Sequence, residues 1–386
     1  MNEFDVVVVG GGPAGSTCAR FLTRRGIRVA VLDAAAFPRV KLCAGWISIP
    51  VWDALEIAPG EYPLGLWEWN RCHVRYRGRD HTIDARGYFI RRYELDAWLL
   101  ERCGADVVQG HRVKSIERID GAWVVDGMYR APLLVGAGGT HCPVARAVFP
   151  KKLEPPVGVQ EHEFQAPAAD VAAHRIGRDG EPELLLHQDL RGYSWNIAKT
   201  DWLNVGCGTL AAREVRDAWR DARAYFEASG HVPPSARDGL DHMAGHSYYL
   251  FHPSNLEACE RDGAMLVGDA LGVAQPFTAE GILPSVLSGR QCAEAITDGD
   301  PGSYRRRLRE HAVFRDYATL RKLRDVDVPV PRGNGLGRSA IRVRAPEFVT
   351  HASLRAVAAG FAWMFAGKPL PAGRLLHRVV DFLPRG

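Results

Sequence analysis

Asp5-Val6-Val7-Val8-Val9-Gly10-Gly11-Gly12-Pro13-Ala14-Gly15 runs four consecutive valines straight into G-x-G-x-x-G. Uninterrupted β-branched residues read as a strand buried on both faces. Ser16-Thr17-Cys18-Ala19-Arg20 then opens a helix, and the next apolar run, Val29-Ala30-Val31-Leu32, closes on Asp33, eighteen residues after Gly15. This is the dinucleotide fingerprint in its required strand–turn–helix context. Gly10 permits the tight turn, Gly12 lets backbone approach a pyrophosphate, and Gly15 lets helix and strand pack. Pro13 and Ala14 open the helix, whose N-terminal N–H groups and positive dipole end suit phosphate. Asp33 is placed to accept hydrogen bonds from a ribose. The motif itself serves NAD or FAD; its place at the start of the chain suits a permanently held FAD.

The chain of 386 residues is long enough for two domains, and its 46% apolar and 24% charged content is that of an ordinary globular protein. The eight cysteines show no metal-type spacing, which predicts reduced thiols and a cytoplasmic setting. Met1-Asn2-Glu3-Phe4 leads directly into the first strand, so no signal peptide is expected. No apolar run reaches the ~20 residues of a membrane span. Nothing in the charge pattern points to nucleic acid. After residue 300, seventeen Arg and Lys face six Asp and Glu, so a basic C-terminal segment follows a net acidic body. Within it, Ala356–Ala366 is apolar and flanked by Arg355, Lys368, Arg374 and Arg378. Such a segment suits either packing on the body or peripheral contact with a membrane.

Further along, Phe37–Pro50 is too punctuated for a strand and reads as a functional loop. Helices are expected at 13–26, 51–57, Arg92–Cys103 and Ala211–Ala228. Strands are expected at Arg71–Tyr76 and Thr82–Ala85, and as short pieces over 105–135. The stretch 155–252 alternates like an antiparallel sheet. At 264–268, Ala-Met-Leu-Val-Gly returns to the parallel-strand style. The reading is an α/β chain: a discontinuous Rossmann-like FAD-binding domain (1–70, 85–150, 255–300), an inserted, mainly antiparallel β-sheet substrate domain (71–84, 151–254) and a helical C-terminal segment (301–386).

A second constellation supports the first. Gly268-Asp269-Ala270-Leu271-Gly272 follows a strand, and Glu280-Gly281-Ile282 opens a helix. Asp269 suits a ribityl hydroxyl. Gly281 and Ile282 can present N–H groups to the flavin ring, where negative charge collects on reduction.

Together with Arg92-x-x-Leu95-Asp96, these segments resemble the FAD-binding segments of para-hydroxybenzoate-hydroxylase-type flavoproteins over about residues 1–300. Three details resemble the geranylgeranyl-reductase branch. Phe37-Pro38-Arg39-x-Lys41-x-Cys43-Ala44-Gly45 is similar to its Pro-Arg-x-Lys-x-Cys-Gly-Gly loop. Gly192-Tyr193-Ser194-Trp195-Asn196-Ile197-Ala198-Lys199 is similar to its Gly-Tyr-x-Trp-x-Phe-Pro-Lys strand. Gly272 stands where aromatic hydroxylases carry histidine, and Gly138 where their Asp-Gly pair has Asp. Ala44, Ala198 and Ala279 depart from the branch, each adding or changing bulk near the expected pocket.

The resemblance implies FAD bound by Gly10, Gly12, Pro13, Ala14, Gly15, Asp33, Arg39, Cys43, Ala44, Arg92, Val113, Gly268, Asp269, Gly281 and Ile282. It implies that Cys43, Tyr193 and Trp195 serve the reaction, with Tyr193 and Trp195 alternating onto one sheet face. Trp46, Trp67 and Trp69 are expected near an apolar pocket for a small apolar substrate. His162, His187 and His246 have no metal spacing. The implied reaction is reduction of a C=C bond in a prenyl-type substrate by hydride from reduced FAD. The alternative is a monooxygenase or halogenase working through a flavin hydroperoxide. No second G-x-G-x-x-G exists, so NAD(P)H would bind transiently, or a ferredoxin or reductase partner would deliver electrons.

Overall fold

The computed structural model describes residues 1–189 and 191–324. The sequence stretch that opens the chain forms the strand Val6–Val9 and the helix Pro13–Thr23. Val6–Val9 lies at the centre of a six-stranded sheet. In order, this sheet comprises Glu260–Arg261, Ala264–Leu266, Leu133–Gly136, Val6–Val9, Val29–Leu32 and Asp106–Val108. All its pairings are parallel except that of Glu260–Arg261. The run of valines is buried on both faces, as a strand covered by helices on each side must be. Helix Ile282–Thr297 packs against helix Pro13–Thr23. That approach needs glycine: a Cβ on Gly289 would sit 2.3 Å from the carbonyl oxygen of Ala14.

The second layer is an eight-stranded sheet. Its order is Ala244–Tyr248, Val157–Gln165, Trp202–Thr209, Gly192–Lys199, Glu183–Leu186, Trp67–Tyr76, Arg79–Phe89 and Trp46–Ile47. Its pairings are antiparallel except Glu183–Leu186 with Trp67–Tyr76. Helix Val215–Ser229 covers one face through Trp219, Ala222 and Phe226 and ends on Gly230 in the left-handed region, φ +75°. A four-stranded sheet, Asn2–Glu3, Tyr129–Ala131, Ala122–Val125 and Ile116–Ile119, flanks the first layer.

Several sequence expectations shift. The strands expected at Arg71–Tyr76 and Thr82–Ala85 are the middle of a longer hairpin, Trp67–Tyr76 with Arg79–Phe89, and Trp46–Ile47 joins the same sheet. The helix expected at 51–57 begins at Ile49, with Pro50 in its first turn. The helix expected from Ala211 begins at Val215, after a single tight turn Ala212–Glu214. Helices Tyr304–Glu310 and Ala312–Arg324 follow the dinucleotide layer. The basic apolar stretch after residue 350 lies outside the described residues. Among the described residues no helix is long and apolar enough to cross a membrane, and no cluster of His, Cys, Asp or Glu suits a metal ion.

Candidate active site

A continuous cavity of about 1160 Å³ is lined from both large sheets. Its dinucleotide end lies at the carboxyl ends of strands Val6–Val9 and Val29–Leu32, where open α/β sheets place their ligands. Gly10 adopts φ +115°, and a Cβ there would lie 2.3 Å from the carbonyl oxygen of Ala137. A Cβ on Gly15 would lie 1.9 Å from the carbonyl oxygen of Gly10, so Gly15 secures packing and does not line the cavity. Gly12 is different: the nearest atom to its Cβ position is Arg39 Nη2, 3.5 Å away. Its outer side is open to a ligand. Gly12 caps helix Pro13–Thr23 without a side-chain hydrogen bond, leaving first-turn N–H groups for an anion. Asp33 accepts the Gly11 N–H at 2.7 Å and the Ala35 N–H at 2.8 Å, which fixes its carboxylate at the cavity wall.

Two guanidinium groups converge beside this loop on one carboxylate. Arg92 donates to both oxygens of Asp96 at 2.6 and 2.7 Å, and Arg39 Nη2 lies 3.2 Å from the same group. Asp96 is fully buried. Burial opposes the charge on Arg92, but Asp96 outweighs it and holds the guanidinium pKa above its usual range. Arg39 Nη1 is buried with no hydrogen-bond partner among the described residues. One carboxylate cannot neutralise two guanidiniums, so the pair leaves a positive charge and an unused donor next to Gly12. That arrangement fits the pyrophosphate of FAD.

The opposite wall carries Asp269, Gly281 and Ile282. Gly281 caps helix Ile282–Thr297, again without a side-chain bond. The preceding turn is pinned by Gln275, whose side-chain oxygen accepts the N–H groups of Phe277 and Thr278. Ala279, at a position where the branch has glycine, adopts φ +60°, a left-handed conformation unfavourable for a residue with Cβ. Glu280 accepts the Ser48 hydroxyl at 2.7 Å, and burial pushes its carboxyl up to about 7. Gly268 does not line the cavity. Its N–H donates to Ser288 Oγ at 2.9 Å, and a Cβ would meet that of Ala14 at 2.8 Å, so it spaces the two long helices.

The loop at 37–45 closes a third side with Arg39, Lys41, Cys43 and Ala44. It is clamped at Cys43: the backbone N–H donates to Glu161 Oε1, the carbonyl accepts Asn204 Nδ2 at 3.2 Å, and the sulfur accepts the Gly45 N–H at 3.3 Å. Burial pushes the Cys43 thiol up, so it stays protonated and is a poor nucleophile. Val113 lines the cavity together with His111 and Arg112.

The register of the eight-stranded sheet defines the remaining face. Tyr193 pairs with Leu186 and Gly208, and Trp195 with Leu184 and Gly206. Val159 lies opposite Gly208 and His246, while Glu161 lies opposite Gly206 and Ala244. Side chains alternate, so Leu184, Leu186, Tyr193, Trp195, Ile197, Val159, Glu161, His246 and Tyr248 share one surface, and all of them line the cavity. Gly206 makes room for a ring: a Cβ there would lie 2.4 Å from the Trp195 ring. Trp195 Nε1 donates to Asn204 Oδ1 at 2.7 Å, and Tyr193 donates to the Thr278 carbonyl at 2.6 Å. Trp46 lines the cavity, but Trp67 and Trp69 do not; Trp69 packs edgewise on Trp46 in the core, with ring centres 4.8 Å apart.

Sequence reading missed the acids on this face. Glu163 pairs with the fully buried Lys199 at 2.7 Å and with Arg91 at 3.2 Å. Glu161, two residues earlier, makes no ion pair among the described residues, and burial pushes its carboxyl up to about 8. Burial also drives His246 down to about 3, so the imidazole is neutral. The available signal was acids at alternate positions of Val157-Gly158-Val159-Gln160-Glu161-His162-Glu163, in phase with the valines of an apolar face.

Residues 5–47 match the family described as FAD dependent oxidoreductase. A menaquinone reductase of Mycolicibacterium smegmatis is 27% identical, over 78% of this chain and 78% of its own length. A digeranylgeranylglycerophospholipid reductase of Methanothrix thermoacetophila is 27% identical, over 79% of this chain and 83% of its own. The crystal structure of a geranylgeranyl bacteriochlorophyll reductase-like protein from Thermoplasma acidophilum shares the fold, with TM-score 0.63 and 18% identity, over 98% of this chain and 91% of that one. The glycine loop, the paired guanidiniums and the matched family define an FAD-dependent oxidoreductase. Within that class the chain is similar in sequence to these reductases and shares the fold of the geranylgeranyl bacteriochlorophyll reductase-like structure.

Proposed function

We propose that the protein saturates C=C bonds in the prenyl chain of an apolar lipid. The observation that carries this reading is the shared cavity: the walls that fit FAD and the surface of Leu184, Leu186, Trp195 and Ile197 enclose one volume. The two relatives named above are reductases of lipids with unlike head groups. What those lipids share is an isoprenoid chain, and an aromatic–aliphatic wall is the surface such a chain recognises. Bound reduced FAD supplies the hydride. The chain's own residues hold the double bond still and exclude water. In this reading Gly12, Arg39, Arg92 and the N-terminus of helix Pro13–Thr23 hold the phosphates, and Asp33, Val113, Asp269, Gly281 and Ile282 hold the rest of the cofactor. Tyr193, Trp195 and Cys43 border the reacting centre. Electrons come from transient NAD(P)H or from a ferredoxin or reductase partner. A substrate drawn from a bilayer makes peripheral membrane contact through the basic C-terminal segment part of the same proposal, at the cytoplasmic face.

The test is single turnover without oxygen. Photoreduced protein is mixed with geranylgeranyl lipid, and the oxidised-flavin absorbance and the lipid mass are followed. Reoxidation with the gain of two hydrogens per flavin supports the reading. No reoxidation by lipid, with a long-lived absorbance transient on mixing with air-saturated buffer, would replace it with the monooxygenase or halogenase alternative.

A further inference from the structure

Saturating a C=C bond needs a proton as well as a hydride, and the cavity wall holds few groups able to give one. Tyr193 already donates its O–H to the Thr278 carbonyl. Trp195 donates to Asn204. Lys199 is fully buried behind the wall, committed to Glu163 and to the Ile90 carbonyl at 2.9 Å. His246 is neutral and flanked by Lys41 and Arg92. Glu280 also lines the cavity, with its Oε1 taken by Ser48 and its Oε2 buried without a hydrogen-bond partner among the described residues, but it sits in the turn before Gly281, on the wall that fits FAD and off the apolar sheet face.

Of the acids among the described residues that line the cavity, Glu161 alone stands on the apolar sheet face, in phase with Val159. It is 2% exposed, yet it lines the cavity on the apolar face. Its Oε1 accepts the Cys43 N–H, the role a carbonyl-type oxygen fills. Its Oε2 is buried with no hydrogen-bond partner among the described residues. A neutral carboxylic acid satisfies this geometry: one oxygen accepts, and the other carries the hydrogen. A carboxylate would leave a buried charged oxygen without a donor, which is costly. The groups facing Glu161 agree. Glu163 on its own strand repels a second negative charge, while Lys199 on strand Gly192–Lys199 and Lys41 on the loop pull the other way. Lys199 is already neutralised by Glu163. Cys43 on the loop and Tyr248 and His246 on strand Ala244–Tyr248 contribute no negative charge at neutral pH.

We propose that Glu161 is the acid that gives its Oε2 proton to the substrate double bond, an inference that rests on the C=C reduction proposed above. The π pair takes that proton at one carbon while the hydride from reduced FAD forms a C–H bond at the other. The Glu161 O–H bond breaks and a carboxylate remains. The two electrons come from the reduced flavin with that hydride, and water reprotonates the carboxylate after product leaves.

The test compares wild-type holoprotein with Glu161→Gln, which keeps an oxygen for the Cys43 N–H and removes the acidic proton. Equal FAD content checks that the variant is folded. Photoreduced protein is mixed anaerobically with geranylgeranyl diphosphate across pH 5 to 10. Wild type should lose rate as pH rises through about 8; the variant should be slower by on the order of 10²–10³-fold, with a flat profile. Infrared spectra of the oxidised wild-type holoprotein need no variant. A carboxylic-acid C=O band should shift in D₂O, vanish above the same pH and be missing from Glu161→Gln. A variant with wild-type rate and pH profile, or a wild type lacking that band, would overturn the assignment while the reduction itself stands. A wild type that no prenyl lipid reoxidises would instead bring down the C=C reading, and proton delivery with it.

Discussion

The phenol of Tyr193 donates to the main-chain carbonyl of Thr278 across 2.6 Å. This bond ties the eight-stranded sheet to the turn that presents Gly281 and Ile282 at the cavity. Burial pushes the phenol well above its ordinary range, so the donor persists at every working pH. Tyr193→Phe removes the donor and leaves a carbonyl unpaired, a loss of about 1 kcal/mol. The expected outcome is FAD binding weaker by roughly 5–10-fold, read by titrating apoprotein with FAD and following quenching of flavin fluorescence.

Asp96 holds Arg92 and Arg39 together at full burial. Asp96→Asn leaves two guanidiniums facing each other with no counter-charge. Breaking a buried pair in this way costs about 3–5 kcal/mol. Thermal unfolding of the apoprotein should show a large drop in Tm, partly recovered when FAD supplies phosphate charge beside the same groups.

Ala279 carries its Cβ at φ +60°. The left-handed conformation costs about 1–2 kcal/mol for an L-residue, and glycine gives back some of that through its freer unfolded chain. Ala279→Gly should therefore stabilise the protein by about 0.5–1 kcal/mol, visible as a higher denaturation midpoint in urea with an unchanged slope.

Cys43 is a thiol raised by burial, on a loop clamped at its N–H, carbonyl and sulfur. Iodoacetamide should label it slowly at pH 8, far below the rate for an exposed cysteine in a peptide. Rapid labelling at that pH would show that the thiolate is accessible and that the loop opens.

Glu280 is held near 7 by burial, above the ~4.3 of a free glutamate. The folded protein therefore binds its proton more tightly than the unfolded chain. Its contribution to stability is fully present below about pH 4 and is lost as pH rises through about 7. Glu280→Gln should match wild type at pH 4 and melt at a higher temperature at pH 8, as circular dichroism melts of the apoprotein at both pH values would show.

The dinucleotide layer was legible because its signals are local. The valine run, the glycine loop and Asp33 lie within one strand–turn–helix–strand unit. The second sheet was legible only as alternation. Its surface depends on register between strands far apart in sequence, such as Val159 against His246, and no local pattern reports that register. The hairpin was read short for a specific reason. A register shift between Trp69 and Arg71 breaks the two-residue period just where Trp67–Tyr76 begins, as a bulge does. Glu161 was missed because an acid in a strand reads as the solvent side until the neighbouring strands show that it faces inward.

Cys43 and Arg39 stand on the same short loop, one bonded to Glu161 on the eight-stranded sheet and the other beside Gly12. Two ligands that press on one loop are thermodynamically linked. In the proposed function, whatever factor the lipid gains from seated cofactor, the cofactor gains from seated lipid. Retention of FAD through purification then reports on the proposed lipid, and a lipid library can be ranked by how slowly the yellow colour washes out.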